Sequence, residues 1–136
     1  MLHIMIFDDE QTQLELLDGL VKDRAKQRNI VPEIDLCKNA DHFFFLWEEK
    51  KDADIVLLDI EMPGMDGMSL AKRLRSMGEG VQIIFVTGFV DYVLEGYDVD
   101  AVSYLLKPVK EERLYACLDK AKDRCGRKGP ELLLES

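Results

Sequence analysis

Three stretches of this chain, residues 2–7, 53–58 (Asp54 excepted) and 81–86 (Gln82 excepted), are almost continuously apolar. Runs of that length suit strands covered on both faces, because a strand with one wet face alternates apolar and polar residues. The stretch 33–36, Glu-Ile-Asp-Leu, does alternate, and 101–106 is interrupted by Ser103. These two read as edge strands, and Pro32 before the first agrees, since strand prolines favour edges and first positions.

Helical spacing fills the intervals. Leu14, Leu17, Leu20 and Val21 form one apolar stripe, Phe43, Phe44, Leu46 and Trp47 a second, and Leu70, Ala71 and Leu74 a third. The last is the clearest: Leu114, Cys117, Leu118, Ala121 and Cys125 fall at i, i+3, i+4, i+7 and i+11. Of the consecutive Phe43, Phe44 and Phe45, helical geometry requires one to face outward. Asn39 and Asp66 are expected N-caps, Gly78 and Gly96 expected stops, and residues 90–97 a short helix. Pro63, Gly64 and Gly67 are expected to shape a tight turn before the third helix.

Strand and helix therefore alternate five times, which calls for parallel strands joined by right-handed helical crossovers. The expected fold is α/β, a doubly wound five-stranded parallel sheet of order 2-1-3-4-5, flavodoxin-like, with its switch point beside the first and third strands. With 136 residues the chain fits one domain, assigned to 1–125. Gly126, Gly129 and Pro130 break the pattern, so 126–136 reads as a linker and the first strand of a missing C-terminal domain.

Composition narrows the function. A net charge of −9 opposes a nucleic-acid surface on this domain, so DNA contact would come only through the missing domain. No apolar stretch approaches a membrane span and the amino terminus lacks signal-peptide features, so the expected location is cytoplasmic, without membrane association. Cys37, Cys117 and Cys125 are odd in number and form no CxxC pair, which fits reduced thiols rather than a disulfide framework or zinc site.

Four of the apolar runs end in residues suited to a metal-bound phosphoryl group: Asp8 with Asp9, Asp59, Thr87 and Lys107. In an open α/β sheet such residues converge on one crevice at the carboxyl ends of the strands. Asp9 and Asp59 could supply oxygen ligands to Mg²⁺ (or Mn²⁺), which takes one or two carboxylates and keeps waters. Crowding Asp8, Asp9 and Asp59 should raise at least one carboxylate pKa by like-charge repulsion, which a cation would relieve. Asp59 is the expected nucleophile toward phosphorus, with the Lys107 ammonium and the Thr87 hydroxyl on phosphate oxygens.

The motifs FDDE, LLDIEMPGMDG, FVTG and YLLKP, at the ends of the first, third, fourth and fifth strands, together resemble a response-regulator receiver domain of a two-component system. The resemblance runs from about Leu2 to Lys122. It implies Asp59 as phosphoacceptor; Asp8, Asp9, Asp59 and the main-chain carbonyl of Glu61 as metal ligands; Thr87 and Tyr104 as switch residues; and a cis bond between Lys107 and Pro108. It also implies a histidine kinase as phosphodonor, homodimerisation on phosphorylation, and a signalling rather than an enzymatic role. The stretch DYVLEGYDVDAVSYLLKP resembles the LytTR-type subfamily, in which a DNA-binding domain controlling transcription follows. Gly88 replaces the alanine usual after the threonine.

Two other readings compete. A phosphohydrolase forming an aspartyl phosphate needs a second acid two residues after a first-strand nucleophile, and Asp8 is followed there by Glu10. A flavodoxin-like binding module needs a Gly/Ser/Thr-rich phosphate loop where this chain carries Asp8-Asp9-Glu10.

Overall fold

The computed structural model describes residues 2–50, 52–60, 64–78 and 80–126. Five strands alternate with five helices: β1 (His3–Phe7), α1 (Gln11–Gln27), β2 (Glu33–Cys37), α2 (Ala40–Lys50), β3 (Ile55–Leu58), α3 (Gly67–Ser76), β4 (Gln82–Thr87), α4 (Val93–Asp98), β5 (Ser103–Leu106) and α5 (Glu111–Gly126). The strands form one all-parallel sheet in the order β2-β1-β3-β4-β5. The alternating and interrupted runs are its edges, as their patterning implies. The linker and extra strand expected at 126–136 lie, past residue 126, outside the described residues.

Successive residues of each central strand point to opposite faces, and this splits the interior in two. Met5, Phe7, Val56, Leu58, Ile83 and Phe85 pack with Phe43 and Trp47 of α2 and Leu70, Ala71 and Leu74 of α3. Ile4, Ile6, Ile55, Leu57, Ile84 and Val86 pack with Leu14, Leu17 and Val21 of α1 and Leu114, Leu118 and Ala121 of α5. Each fully buried Ile, Leu or Phe contributes about 1.5–3 kcal/mol, whereas an exposed ion pair contributes about 0–1 kcal/mol. The two cores, not the surface charges, hold the sheet.

Local chemistry sets the helix ends. The Asp66 carboxylate accepts from the backbone N–H of Ser69 at 2.7 Å, and the Asn39 side chain accepts from that of His42 at 2.8 Å. Gly78, with φ +78°, follows α3 as its stop. Phe45 is the outward member of the phenylalanine triplet. Gly96 departs from expectation: it does not stop α4 but lies within it, buried over Phe85 and Tyr104. The helix instead ends at Val99, with Asp100 in the left-handed region at φ 52°. Glycine there serves close packing of a short helix on the sheet.

Candidate functional site

Each of the residues that end the strands is fixed by backbone bonds to the neighbouring strand. The Asp8 N–H donates to the Cys37 carbonyl at 3.1 Å, that of Asp59 to Phe7 at 2.9 Å, and that of Lys107 to Thr87 at 2.8 Å. The ladder therefore continues one residue past β1, β3 and β5, and sets three functional Cα positions in register at the switch point.

Their side chains meet. The Lys107 ammonium donates to Asp8 Oδ2 at 2.8 Å and to Asp59 Oδ2 at 3.3 Å, and lies 3.7 Å from Glu10 Oε1. Asp8 is 1% exposed and Asp59 6%. Asp8 also accepts from the Glu10 backbone N–H at 3.0 Å. Thr87 is fully buried, and its hydroxyl accepts from the N–H of Phe89 at 3.4 Å. Asp9 is exposed, and its carboxylate lies within 4.8 Å of those of Asp8 and Glu10.

Burial, then the Asp8 charge, pushes the Asp59 pKa up, against the lowering influence of the neighbouring Lys107 and Thr87. Like-charge repulsion is thus the second cause, not the first. Burial alone would lower the Lys107 pKa, but the hydrogen bond it donates to Asp8 and the charges of Asp59 and Asp8 outweigh it and leave the ammonium's pKa raised. Lys107 stays charged, and Asp59 is a carboxylate held less comfortably ionised than usual.

The donor set consists of hard oxygens. Among the described residues Asp8, Asp9, Glu10 and Asp59 outnumber the cation beside them, Lys107, and this excess of negative charge, with Asp9 and Glu10 exposed, fits a divalent ion of the Mg²⁺ type. The Glu61 carbonyl lies outside the described residues. Tyr104 sits apart from the acids. Its ring lies 5.8 Å from that of Phe85, and its hydroxyl donates to the Phe89 carbonyl, two residues beyond Thr87. The Lys107–Pro108 bond is cis.

Two participants escaped the sequence reading. Glu10 comes within reach of Lys107, and its place beside Asp8-Asp9 was the available signal. Gly67 matters for a reason other than turn formation: a Cβ there would stand 1.9 Å from the Asp59 carbonyl oxygen. Its N–H donates to the Ile60 carbonyl at 2.9 Å, so the start of α3 is pressed against the backbone that carries the carboxylate. His3, by contrast, is far from this crevice, at the opposite end of β1. It is 1% exposed, with Nδ1 2.7 Å from Asp52 and Nε2 2.7 Å from Asp35.

Residues 4–119 match the response regulator receiver domain. The chain is 35% identical over 122 residues to the sensory transduction protein LytT of Bacillus subtilis, covering 90% of this chain and 48% of that one. It is 38% identical over 120 residues to the positive alginate biosynthesis regulatory protein of Pseudomonas aeruginosa, covering 88% and 47%. It thus spans about half the length of these curated relatives. Among solved structures, the response regulator protein TrrA of Thermotoga maritima in complex with Mg²⁺-BeF aligns with a TM-score of 0.75 and 28% identity, over 89% of this chain and 99% of that one. The response regulatory domain of protein mrkE from Klebsiella pneumoniae, at 23% identity, shares the fold with a TM-score of 0.83, over 93% and 100%. Among the described residues no helix is long and apolar enough to cross a membrane. A family match across most of the chain, LytT-type relatives and the clustered acids lead to one assignment: the protein belongs to the response-regulator receiver domains, the signalling domains of two-component systems.

Proposed function

We propose that Asp59 accepts a phosphoryl group from the phosphohistidine of a partner histidine kinase in the cytoplasm, and that the domain reports this charge to an output domain. The observation that carries the reading is the Lys107 ammonium bridging Asp8 and Asp59, with the buried Thr87 ending the neighbouring strand β4. An Asp59 oxygen attacks phosphorus, the P–N bond breaks, and the kinase imidazole leaves with the electron pair. Lys107 and Thr87 then face the equatorial phosphate oxygens and balance their charge. Asp8, Asp9, Asp59 and the Glu61 carbonyl would hold Mg²⁺ (or Mn²⁺), whose chemistry is neutralisation of the acids and of the incoming phosphoryl group. The domain acts once per phosphorylation event and is not a multiple-turnover hydrolase.

A stable population shift requires contacts that favour one state. The Thr87 hydroxyl is available to the phosphate in the charged state, and Tyr104, bonded two residues along, follows its loop. The surface that changes comprises α4, β5 and α5, where Val90, Leu94 and Tyr97 are exposed and a groove of about 370 Å³ is lined by Tyr104, Leu106, Lys110 and Arg113. It serves as a homodimer surface on phosphorylation. The whole protein controls transcription through a C-terminal DNA-binding domain, a reading supported by the regulatory relatives, which are about twice as long.

Beryllofluoride with Mg²⁺, which mimics an acyl phosphate, tests the site. Binding by the wild type and its loss in Asp59→Asn are expected. An Asp59→Asn protein that still takes label from acetyl phosphate, or a wild type that turns over small phosphate esters repeatedly, would contradict the proposal.

A further inference from the structure

Helix α4 is attached unequally at its two ends. It has six residues, and its side chains are mostly exposed: Leu94 is 78% and Tyr97 80% exposed, and within the helix only Gly96 is buried. At its leading end Phe89 and Val90 are exposed, and the loop is tied down by the Tyr104 hydroxyl on the Phe89 carbonyl and by the long bond from the Phe89 N–H to Thr87. At its trailing end Val99 is 3% exposed. The N–H groups of Asp100, Ala101 and Val102 donate to Tyr97, Gly96 and Ile83 at 3.0, 3.1 and 2.7 Å.

Arg75, half-buried in the last turn of α3, reaches across to that trailing end. Its Nε donates to the Val99 carbonyl at 2.7 Å, Nη1 to the Val81 carbonyl at 2.8 Å, and Nη2 approaches the Asp100 carbonyl at 3.5 Å. The last carbonyls of a helix have no partners within it. Here one planar fork takes the carbonyls of Val99, the cap residue of α4, and of Asp100 just beyond it together with the carbonyl at the entrance of β4, a geometry that the single point charge of lysine cannot reproduce. The exposed Lys72–Glu95 pair, at 3.2 Å, is a second polar link from α3 to α4 and is the weaker kind of contact.

We infer that Arg75 is a positioning residue of the switch, a pin that holds the trailing end of α4 to α3 and β4 so that a rearrangement at Phe89 tilts the helix about Val99–Asp100 instead of detaching it. The inference rests on the phosphoacceptor reading and extends it to a residue outside the crevice. It acts through α4, touching neither the acids nor Lys107.

Amide hydrogen exchange on the full chain, with and without Mg²⁺ and beryllofluoride, tests it. In the wild type the exchange of residues 89–95 changes on beryllofluoride binding, while Val99, Asp100, Ala101 and Val102 stay as they were. In Arg75→Gln those four amides exchange about tenfold to a hundredfold faster before any ligand is added, as expected for loss of charged hydrogen bonds at one helix end, and they then respond to beryllofluoride as well. Arg75→Lys, which keeps the charge and loses the fork, should restore little of this protection. A wild-type response as large at 99–102 as at 89–95, or full protection at 99–102 in Arg75→Gln, overturns the pin. If Arg75→Gln does not fold, the wild-type asymmetry decides alone. Uptake of no beryllofluoride overturns the phosphoacceptor reading and the pin together, whereas uptake with the response centred on 99–102 overturns only the pin.

Discussion

Asp35, midway along β2, joins Lys50 and His3 in a network at the amino end of the sheet, whereas Asp59, at the carboxyl end, lies beside Asp8 and Lys107. Burial pushes both carboxyl groups up. At Asp35 the hydrogen bonds from Lys50 and His3 outweigh it and the pKa falls. At Asp59 the Asp8 charge adds to burial, Lys107 does not compensate, and the pKa rises. The amino end is a closed network, with Lys50 shared by Glu33 and Asp35 and both ring nitrogens of His3 occupied. The carboxyl end keeps an uncompensated excess of acid. Charge left over at a buried site, rather than charge as such, is what sets the proposed binding crevice apart from the network at the other end.

The comparison makes its largest prediction for metal affinity. Losing a group that merely orients a ligand costs about 10–100-fold, so Asp8→Asn, which removes a proposed oxygen ligand, should weaken Mg²⁺ binding by at least that. His3→Gln should leave it unchanged by calorimetry. An equal loss from both would merge the two ends into one system.

Stability should respond in the reverse pattern. His3→Gln puts an amide in the buried place of the imidazole, leaves the half-buried Asp35 incompletely met, and should lower unfolding free energy by about 1–3 kcal/mol in urea melts. Beryllofluoride uptake should persist in that variant.

A smaller change of opposite sign is expected from Asp59→Asn without Mg²⁺. Because the folded pKa of Asp59 is raised, the folded state binds the proton more tightly than the unfolded state. Asp59 therefore lowers stability as pH climbs from the unfolded to the folded value, and the penalty remains at neutral pH. Removing the charge should raise the neutral-pH melting temperature of the metal-free protein. Asp35 works the other way: its depressed pKa adds stability above the unfolded value, lost as pH falls through the folded one. Melts of Asp59→Asn and Asp35→Asn against pH should diverge in sign, and parallel curves would break the comparison.

The smallest expected effect is on a thiol. Cys37 is fully buried and its pKa is pushed up to about 12, first by burial and then by Asp35. Neutral iodoacetamide should leave it unmodified until the protein unfolds, as peptide mass mapping would show.

The sequence carried much of this architecture because its signals are local. An apolar run marks a strand, a polar residue at its end marks the crevice, and Asp66 marks the start of α3 three residues ahead of the N–H it caps. What was not legible depends on distant partners. His3 finds Asp35 and Asp52 at separations of 32 and 49 residues, and no pattern near residue 3 announces either. Gly96 looked like a stop because glycine ends helices by default, yet here its missing side chain lets α4 settle on Phe85 and Tyr104. Tyr104 could be placed by resemblance, but its hold on the Phe89 carbonyl follows from how the β4–α4 loop folds back.

The close approach of Gly67 to the Asp59 carbonyl gives the proposed acceptor a silent guardian. A methyl group added at position 67 would have to displace main chain, at an overpacking cost of about 1–3 kcal/mol, and the main chain displaced is that of Asp59 itself. In a survey of inactivating changes, position 67 should therefore score alongside the acids and the lysine, although it brings no atom to the reaction.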